Sequence, residues 1–359
     1  MRLFCTCIVA ILNLSFAQVA DPLTSVQNST GKPDNYEHQF ENHNNPVNIF
    51  TKIEINKIYG INTLDETYII DGYLTAIWYD AKNQLLLKSD KDVIIYENQI
   101  ADDKVGNEVW VPAFEFINVV SSRDIGNKQI IIEEAGKTTY NERFNAVFTT
   151  NMDFKKFPFD NQCFSIQLEA FSYDTRSIVF SNENSDEESL EQQMSEEWEV
   201  TESRIYINSQ EYSHLSRDGA PITFSRYTQE IYAERKIRYY LWQFILPLFL
   251  ITGISWSVFW ISGLSDQLAT SFTLMLTVVA FNFSTSSMLP TLPYSTFIES
   301  MITLGYLSIS ISLIVIIWGH AAAKTNRNFN LQKLMNRCKY IFPLSFTLLV
   351  LFQIAIFFI

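Results

Sequence analysis

Four apolar runs, Tyr239–Ile261, Gln267–Met288, Phe297–Gly319 and Tyr340–Ile359, each 20 to 23 residues long, confine what this 359-residue chain can become. About 20 apolar residues make a helix long enough to cross the hydrocarbon of a bilayer. A segment at that depth must satisfy its own backbone, which a helix does. The runs also divide the charge: residues 1–238 hold 37 acids and 21 bases, residues 239–359 only 2 acids and 5 bases. A lipid-soluble third excludes a soluble enzyme, and an acidic remainder argues against nucleic acid as a partner, since phosphates call for a basic face.

The connection His320–Lys339 carries Lys324, Arg327, Lys333, Arg337 and Lys339 and no acid. Excess Lys and Arg mark cytoplasmic loops, so the connection is expected inside. Residues ahead of Tyr239 and the terminal Ile359 then face outside, and the short link Ser262–Asp266 faces the cytoplasm. The amino end agrees: Met1-Arg2, the apolar Leu3–Leu14 and the small-x-small Ser15-Phe16-Ala17 read as an export signal over residues 1–17. Cleavage there removes Cys5 and Cys7 and leaves Cys163 and Cys338, one in each half, so no disulfide is expected within either domain.

Residues 18–46 read as a flexible lead-in, and residues 47–238 as an all-β extracellular domain. Ile49, Thr51, Ile53 and Ile55 alternate with Asn48, Phe50, Lys52 and Glu54, the period of a half-buried strand. Similar runs recur at Thr67–Trp78, Lys91–Tyr96, Gln129–Glu133, Ala146–Thr150, Cys163–Ala170, Trp198–Ile207 and Ser225–Ala233. Short strands at such spacing predict a β-sandwich. Asn182–Glu199 holds eight acids and reads as a solvated loop, with a divalent-cation site as the alternative.

A large outer domain with only about twenty residues in its longest inner connection has no room for a folded effector inside. A signal can then cross only as moving ions or solute. The second run carries ten polar side chains in 22 residues. Polar groups at membrane depth need partners or water, so this helix either packs through its hydroxyls or lines a wet pore. One helix cannot enclose a pore; several subunits around an axis can.

Phe157-Pro158-Phe159-Asp160 followed by Cys163, Trp110-Val111-Pro112, the Pro247-containing first run and Leu289-Pro290-Thr291-Leu292-Pro293-Tyr294 together resemble pentameric ligand-gated ion channels. Ser271–Ala280 and Ile55–Gly60 resemble bacterial members in particular. Where eukaryotic members close a loop with two cysteines, this chain has Thr149 and Cys163, so that bridge is missing.

The resemblance implies a β-sandwich extracellular domain plus a four-helix transmembrane domain, with a homopentamer around a central pore. It aligns Ala269, Thr273, Leu276, Ala280, Phe283 and Ser287 toward the pore, in steps of three and four that keep to one helical face. Polarity alone picks a neighbouring stripe, Thr270, Thr273, Thr277 and Ser284. Leu276 and Phe283 are the expected apolar gate, since a closed pore needs a constriction that dewets. Asp266, repeated around the inner mouth, favours monovalent cations, and no Lys or Arg lies in Ser262–Phe297.

The resemblance also places a small-molecule agonist between subunits. One face supplies Glu115, Glu169, Phe171, Tyr212 and Phe224, the last two flanking a mobile loop, and the other supplies Tyr73 with Glu54 beside it. Rings with carboxylates suit an ammonium ion. Two departures bear on the agonist: Glu54 stands where bacterial members have an aromatic residue, and Gln129 where they have an arginine. Gathered carboxylates also hold protons more tightly, so pH is the second candidate stimulus. Thr63, Asp160, Arg235, Pro290 and Pro293 are expected to couple the two halves, with Asp160 and Arg235 as a pair.

A non-conducting membrane-tethered sensor or adhesin is the other class considered, though it needs no hydroxyl-rich second run. A transporter would typically show internal repeats, and none is visible. With His38, His43, His214 and His320 scattered and no nucleophile motif or metal spacing, no enzyme activity, cofactor or metal is expected. The partners expected are further copies of the chain, a small agonist, monovalent cations and membrane lipid.

Overall fold

The computed structural model describes residues 46–87, 92–182, 194, 197–217, 220–286, 289–326 and 328–358. The export signal, the lead-in up to residue 45, most of the acidic loop and Ser287 lie outside these residues.

Among the described residues ten strands form two sheets. β1 (Val47–Asn62), β2 (Thr67–Tyr79), β3 (Ile94–Glu97), β5 (Asp124–Ile132), β6 (Lys137–Thr149) and β8 (Ile178–Ser181) build a six-stranded sheet in the order β3-β5-β6-β2-β1-β8. β4 (Phe114–Phe116), β7 (Asn161–Ala170), β9 (Trp198–Arg217) and β10 (Ala220–Arg235) build a four-stranded sheet in the order β4-β7-β10-β9. The β1–β8 pair is parallel and the other pairs are antiparallel.

Alternation accounts for the sandwich. On β1, Ile49, Thr51, Ile53 and Ile55 are buried, and on β2 Tyr68, Ile70, Leu74, Ala76 and Trp78 are buried. Aromatic side chains join the sheets: Phe144 of β6 meets Phe116 of β4 at 4.7 Å, and Tyr68 of β2 meets Phe164 of β7 at 5.0 Å between ring centroids. Several strands run longer than their alternating stretches. β6 begins at Lys137 rather than Ala146, and β9 continues from Ile207 to Arg217, because pairing with β2 and β10 carries them on. β4 and β8, three and four residues long, are too short to carry a period.

Among the described residues four segments are long and apolar enough to cross a membrane: Arg238–Trp260, Leu264–Ser286, Phe297–Thr325 and Leu331–Phe358. The first is composite, with α3 (Arg238–Tyr240), a π turn (Leu241–Ile245), α4 (Leu246–Trp256) and a 3-10 turn (Ser257–Trp260). Pro247 lies in the first turn of α4, directly after the π turn, where the regular hydrogen-bond ladder is already interrupted. The others are α5 (Leu264–Ser286), α6 (Phe297–Thr325) and α7 (Leu331–Phe358). α6 opens with a capping box, Thr296 accepting from the Glu299 N–H and Glu299 from the Thr296 N–H. Both α6 and α7 run past their apolar stretches, so most of the twenty-residue inner connection is helical.

Cys163 and Cys338 are free. Hydrogen bonds close the β6–β7 loop instead: the Thr150 hydroxyl donates to the Cys163 carbonyl at 2.9 Å, while Gln162 donates to the Asp153 carbonyl at 2.9 Å and accepts from its N–H at 3.1 Å.

Candidate functional site

Strand register assembles a pocket at one edge of the four-stranded sheet. β4 pairs with β7 so that Glu115 stands opposite Glu169, and β7 pairs with β10 so that Glu169 stands opposite Arg226. Phe171 follows β7, and Tyr212 and Phe224 come from the β9–β10 hairpin. Glu115, Ile117, Glu169, Phe171, Tyr212, His214, Leu215 and Phe224 line one cavity of about 210 Å³. Five of the expected ligand residues therefore meet. Tyr212 and Phe224 sit within paired strands, and Ile222↔Tyr212 is one of the register positions.

The chemistry differs from bare rings and carboxylates. Glu169 is 1% exposed and already paired: Arg226 Nε donates to it at 2.7 Å, and the Tyr212 hydroxyl donates at 3.2 Å. Arg226 Nη2 also donates to the Tyr212 oxygen at 2.8 Å, and Nη1 to Gln167 at 3.2 Å. Burial, followed by the Glu169 carboxylate, pushes the Tyr212 phenol above its ordinary range, so it remains a donor at neutral pH. Glu169 thus orients the wall while Glu115, exposed across the strand pair, carries the negative charge at the mouth. Phe171 stacks on Phe224 at 6.3 Å with 5° between planes, and Tyr212 meets Phe224 edge-on at 5.6 Å. Sequence reasoning missed Arg226 and His214. The usable signal was Arg226 two positions from Phe224, on the same face of the strand.

Tyr73 lies elsewhere, on the six-stranded sheet. It borders a second cavity of about 390 Å³ with Glu97, Asn98, Asn127, Lys128, Gln129, Asn141, Glu142 and Arg143. Arg143 lies over the Tyr73 ring at 6.0 Å and pairs with Asp71 at 3.2 Å. Glu54 is the cross-strand partner of Tyr73 and is held by Lys52 on its own strand, so the pair adds no net charge. Neither residue lines the first cavity, and Gln129 bonds Glu97 at 3.0 Å.

At the junction of the two halves, Asp160 and Arg235 form a buried two-pronged ion pair at 2.8 and 3.0 Å, each side chain 1% exposed. Burial is the largest single influence and opposes the Arg235 charge, but the hydrogen bonds and charge of Asp160 together with Tyr240 outweigh it and hold the guanidinium above its ordinary value. Trp198, Phe157 and Tyr240 surround it at 4.2, 5.0 and 5.5 Å. The β6–β7 loop reaches the membrane half at Tyr294 and Phe297, just past the Pro290–Pro293 turn. Phe154 N–H donates to the Tyr294 hydroxyl at 3.2 Å, Phe297 N–H donates to the Lys155 carbonyl at 2.9 Å, and Phe159 meets Phe297 at 5.8 Å and Phe358 at 5.6 Å. Thr63 stands in the β1–β2 turn, where Asn62 accepts from the Leu64 N–H at 2.9 Å.

α5 presents two contrasting faces. Gln267, Ser271, Val278 and Thr285 pack inward. Ala269, Thr273, Leu276, Ala280 and Phe283 lie exposed on the opposite face, Leu276 at 69% and Phe283 at 72%. Thr277 and Ser284 share that exposed half. The Thr270, Thr273 and Thr277 hydroxyls donate to carbonyls one turn back at 2.8, 2.9 and 2.9 Å, so they satisfy themselves without a neighbouring helix. Gln267 fixes the inner end of α5: its amide donates to Val258 and Ile261 carbonyls at 3.1 Å each, and its oxygen meets His320 Nε2 at 2.8 Å. Asp266, in the first turn of α5, is exposed beside it.

A model of the neurotransmitter-gated ion-channel ligand binding domain matches residues 25–240, beginning ahead of the first described strand. The chain is similar to a proton-gated ion channel of Gloeobacter violaceus, 23% identical over 304 residues that cover 84% of this chain and 81% of that protein. It is also similar to the gamma-aminobutyric acid receptor subunit beta-4 of Gallus gallus, 26% identical over 70% of this chain, and to the gamma-aminobutyric acid receptor subunit beta of Lymnaea stagnalis, 24% identical over 75%. The aligned stretch spans 50% and 55% of those two subunits.

Proposed function

This chain belongs to the family of pentameric neurotransmitter-gated (Cys-loop) ion channels, and from that premise we propose that five copies form a cation-selective channel opened by a small cationic amine. The exposed face of α5 is the observation that carries the reading. A lone subunit leaves Leu276 and Phe283 largely uncovered, although they are the bulkiest apolar groups among the five aligned positions Ala269, Thr273, Leu276, Ala280 and Phe283. Five such helices around an axis turn these side chains into rings narrow and apolar enough to dewet. Asp266 forms a carboxylate ring at the inner mouth, and no Lys or Arg lies in Ser262–Phe297 beside it.

The agonist sits where the aromatic pocket of one subunit meets the Tyr73 face of the next. Phe171, Phe224 and Tyr212 offer ring faces to an ammonium group, and Glu115 supplies the charge. Asp160–Arg235 and the Tyr294 and Phe297 contacts carry the change to the spans. The protein is a multi-pass membrane protein with an extracellular domain; a bacterial inner membrane with the sandwich in the periplasm suits the export signal read in residues 1–17. The test is current through reconstituted protein under a series of primary amines. Amine-evoked current that is weakened in Glu115→Gln supports the reading.

Protons are the second candidate stimulus. Glu115 and Glu169 stand opposite each other across a strand pair, and a relative is a proton-gated channel. Current evoked by acid alone, unaffected by every amine, would select this reading.

A further inference from the structure

Two histidines fall among the described residues: His214 borders the outer pocket, and half-buried His320 lies near the inner end of α6. Gln267 meets His320 from the start of α5 and is 2% exposed. Its amide nitrogen donates to the Val258 and Ile261 carbonyls, both at the end of the first span. Carbonyl oxygens only accept, so these two bonds fix which end of the amide is which and turn its oxygen toward the ring. His320 Nε2 must then carry a hydrogen, and it donates to the Gln267 oxygen at 2.8 Å. A second proton can be taken up only at Nδ1, away from that bond.

The surroundings hold this link in place. Val258 and Phe259 pack with Ile316, Met335 and Cys338. A side chain at Gly319 would come within 2.8 Å of Leu334, so α6 and α7 touch beside His320. Asp266 precedes Gln267, and its carboxylate folds back over Gly263, where a Cβ would stand 3.7 Å from Oδ2. Gly263 turns the chain into α5 at a φ of +99°. The charged groups on the elements around His320 are Asp266 of α5, Lys324 one turn further along α6, and Lys333, Arg337 and Lys339 of α7. Lys333 and Arg337 are exposed, and the Lys339 ammonium lies over the Trp260 ring at 5.2 Å. The 3-10 turn Ser257–Trp260 carries no charge.

We propose that His320 is a positioning residue for ion selection and a proton switch on conductance: through Gln267 it holds the turn of α5 that bears Asp266, and its second proton sets a positive charge near each carboxylate of the inner ring. The inference rests on the channel reading above. With His320 neutral, the Asp266 ring gathers cations at the inner mouth. An imidazolium within a Debye length of about 8 Å opposes that attraction. The bond to Gln267 survives protonation, so acid changes the charge at the mouth and leaves the turn in place. Acid at the outer pocket would alter how often the channel opens; acid at His320 alters how much each opening carries.

The test is unitary current through full-length protein in a bilayer, opened by an amine or by Leu276→Ser, with opposed sodium and chloride gradients. The inner solution is held at about pH 8 and then at about pH 5.5, on either side of the range where an imidazole changes charge. Wild type is expected to lose conductance reversibly on inner acidification. His320→Gln keeps an N–H for Gln267 and cannot titrate, so it should match wild type at the higher pH and lose most of the acid effect. His320→Phe strands the buried Gln267 oxygen and should show, already at the higher pH, lower conductance and a reversal potential shifted toward zero. An acid effect as large in His320→Gln as in wild type would assign it to Asp266 and overturn the switch. Wild-type conductance and reversal in assembled His320→Phe would overturn the positioning role. Should that variant fail to assemble, His320→Phe with Gln267→Leu leaves no unpaired atom and must still show the shifted reversal. Current that ignores His320 overturns this inference alone, whereas silence in every variant overturns the channel reading and the inference with it.

Discussion

The buried charges sort into two roles at the residue scale. Asp160 and Arg235 are fully enclosed, with three rings around the guanidinium. Removing one partner of such a pair leaves a buried, uncompensated charge and typically costs about 3–5 kcal/mol. Asp160→Asn is therefore expected to abolish or strongly reduce current, read together with surface expression. Exchanging the two residues should restore less than full function, because an aspartate at 235 forfeits the stacking on Trp198. Wild-type activation and expression in Asp160→Asn would remove the pair from the coupling route. At the pocket, Glu169 and Glu115 separate in the same way. Arg226→Gln strands the buried Glu169 and should lower the yield of folded protein, whereas Glu115→Gln should leave yield intact and raise the half-activating amine concentration roughly tenfold, the ~1.4 kcal/mol expected of a lost charge contact near a ring cage. Because the Tyr212 phenol is held above its ordinary range, its proton stays on as pH rises through neutrality. Amine responses between pH 7 and 9 should therefore show no step from Tyr212, which a Tyr212→Phe comparison checks.

At the scale of elements, α5 carries one face for its own subunit and another with no partner in the single chain. Leu276→Ser replaces an apolar ring by hydroxyls and is expected to give current without agonist; a variant that is expressed and stays silent would take Leu276 out of the gate. The end of α7 has its own expected effect. Phe358 touches Phe159 and Phe297, and Lys156 lies over its ring at 5.6 Å, so Phe358→Ala should shift activation to higher agonist concentration without changing conductance. The sequence made β1, β2 and the four spans legible because each has one long buried stripe or an unbroken apolar run. It hid β4 and β8, whose few residues become strands only through their neighbours. It also hid the last turns of α6 and the first turns of α7, where polar residues outside the hydrocarbon extend each helix beyond its apolar run. Arg226 escaped because a lone arginine in a strand gives no sign of which residue faces it; the register with β7 decides that. The Lys52 partner of Glu54, two residues away on the same face, is of the same kind: the strand places the two side by side.

For the whole molecule, an acidic sandwich stands on four spans that carry almost no charge, and Asp266 and Glu299 are the two acids of residues 239–359, Asp266 in the first turn of α5. Five copies would set five such carboxylates around the axis, and Asp266→Asn is expected to lower single-channel cation conductance. The reversal potential of agonist-evoked current, measured with opposed sodium and chloride gradients across a bilayer holding the purified protein, tests the central claim most directly. Reversal near the sodium potential, moving toward zero in Asp266→Asn, is the expected result. Reversal near the chloride potential would contradict cation selection at this ring, and an absence of current even in Leu276→Ser would contradict the channel itself.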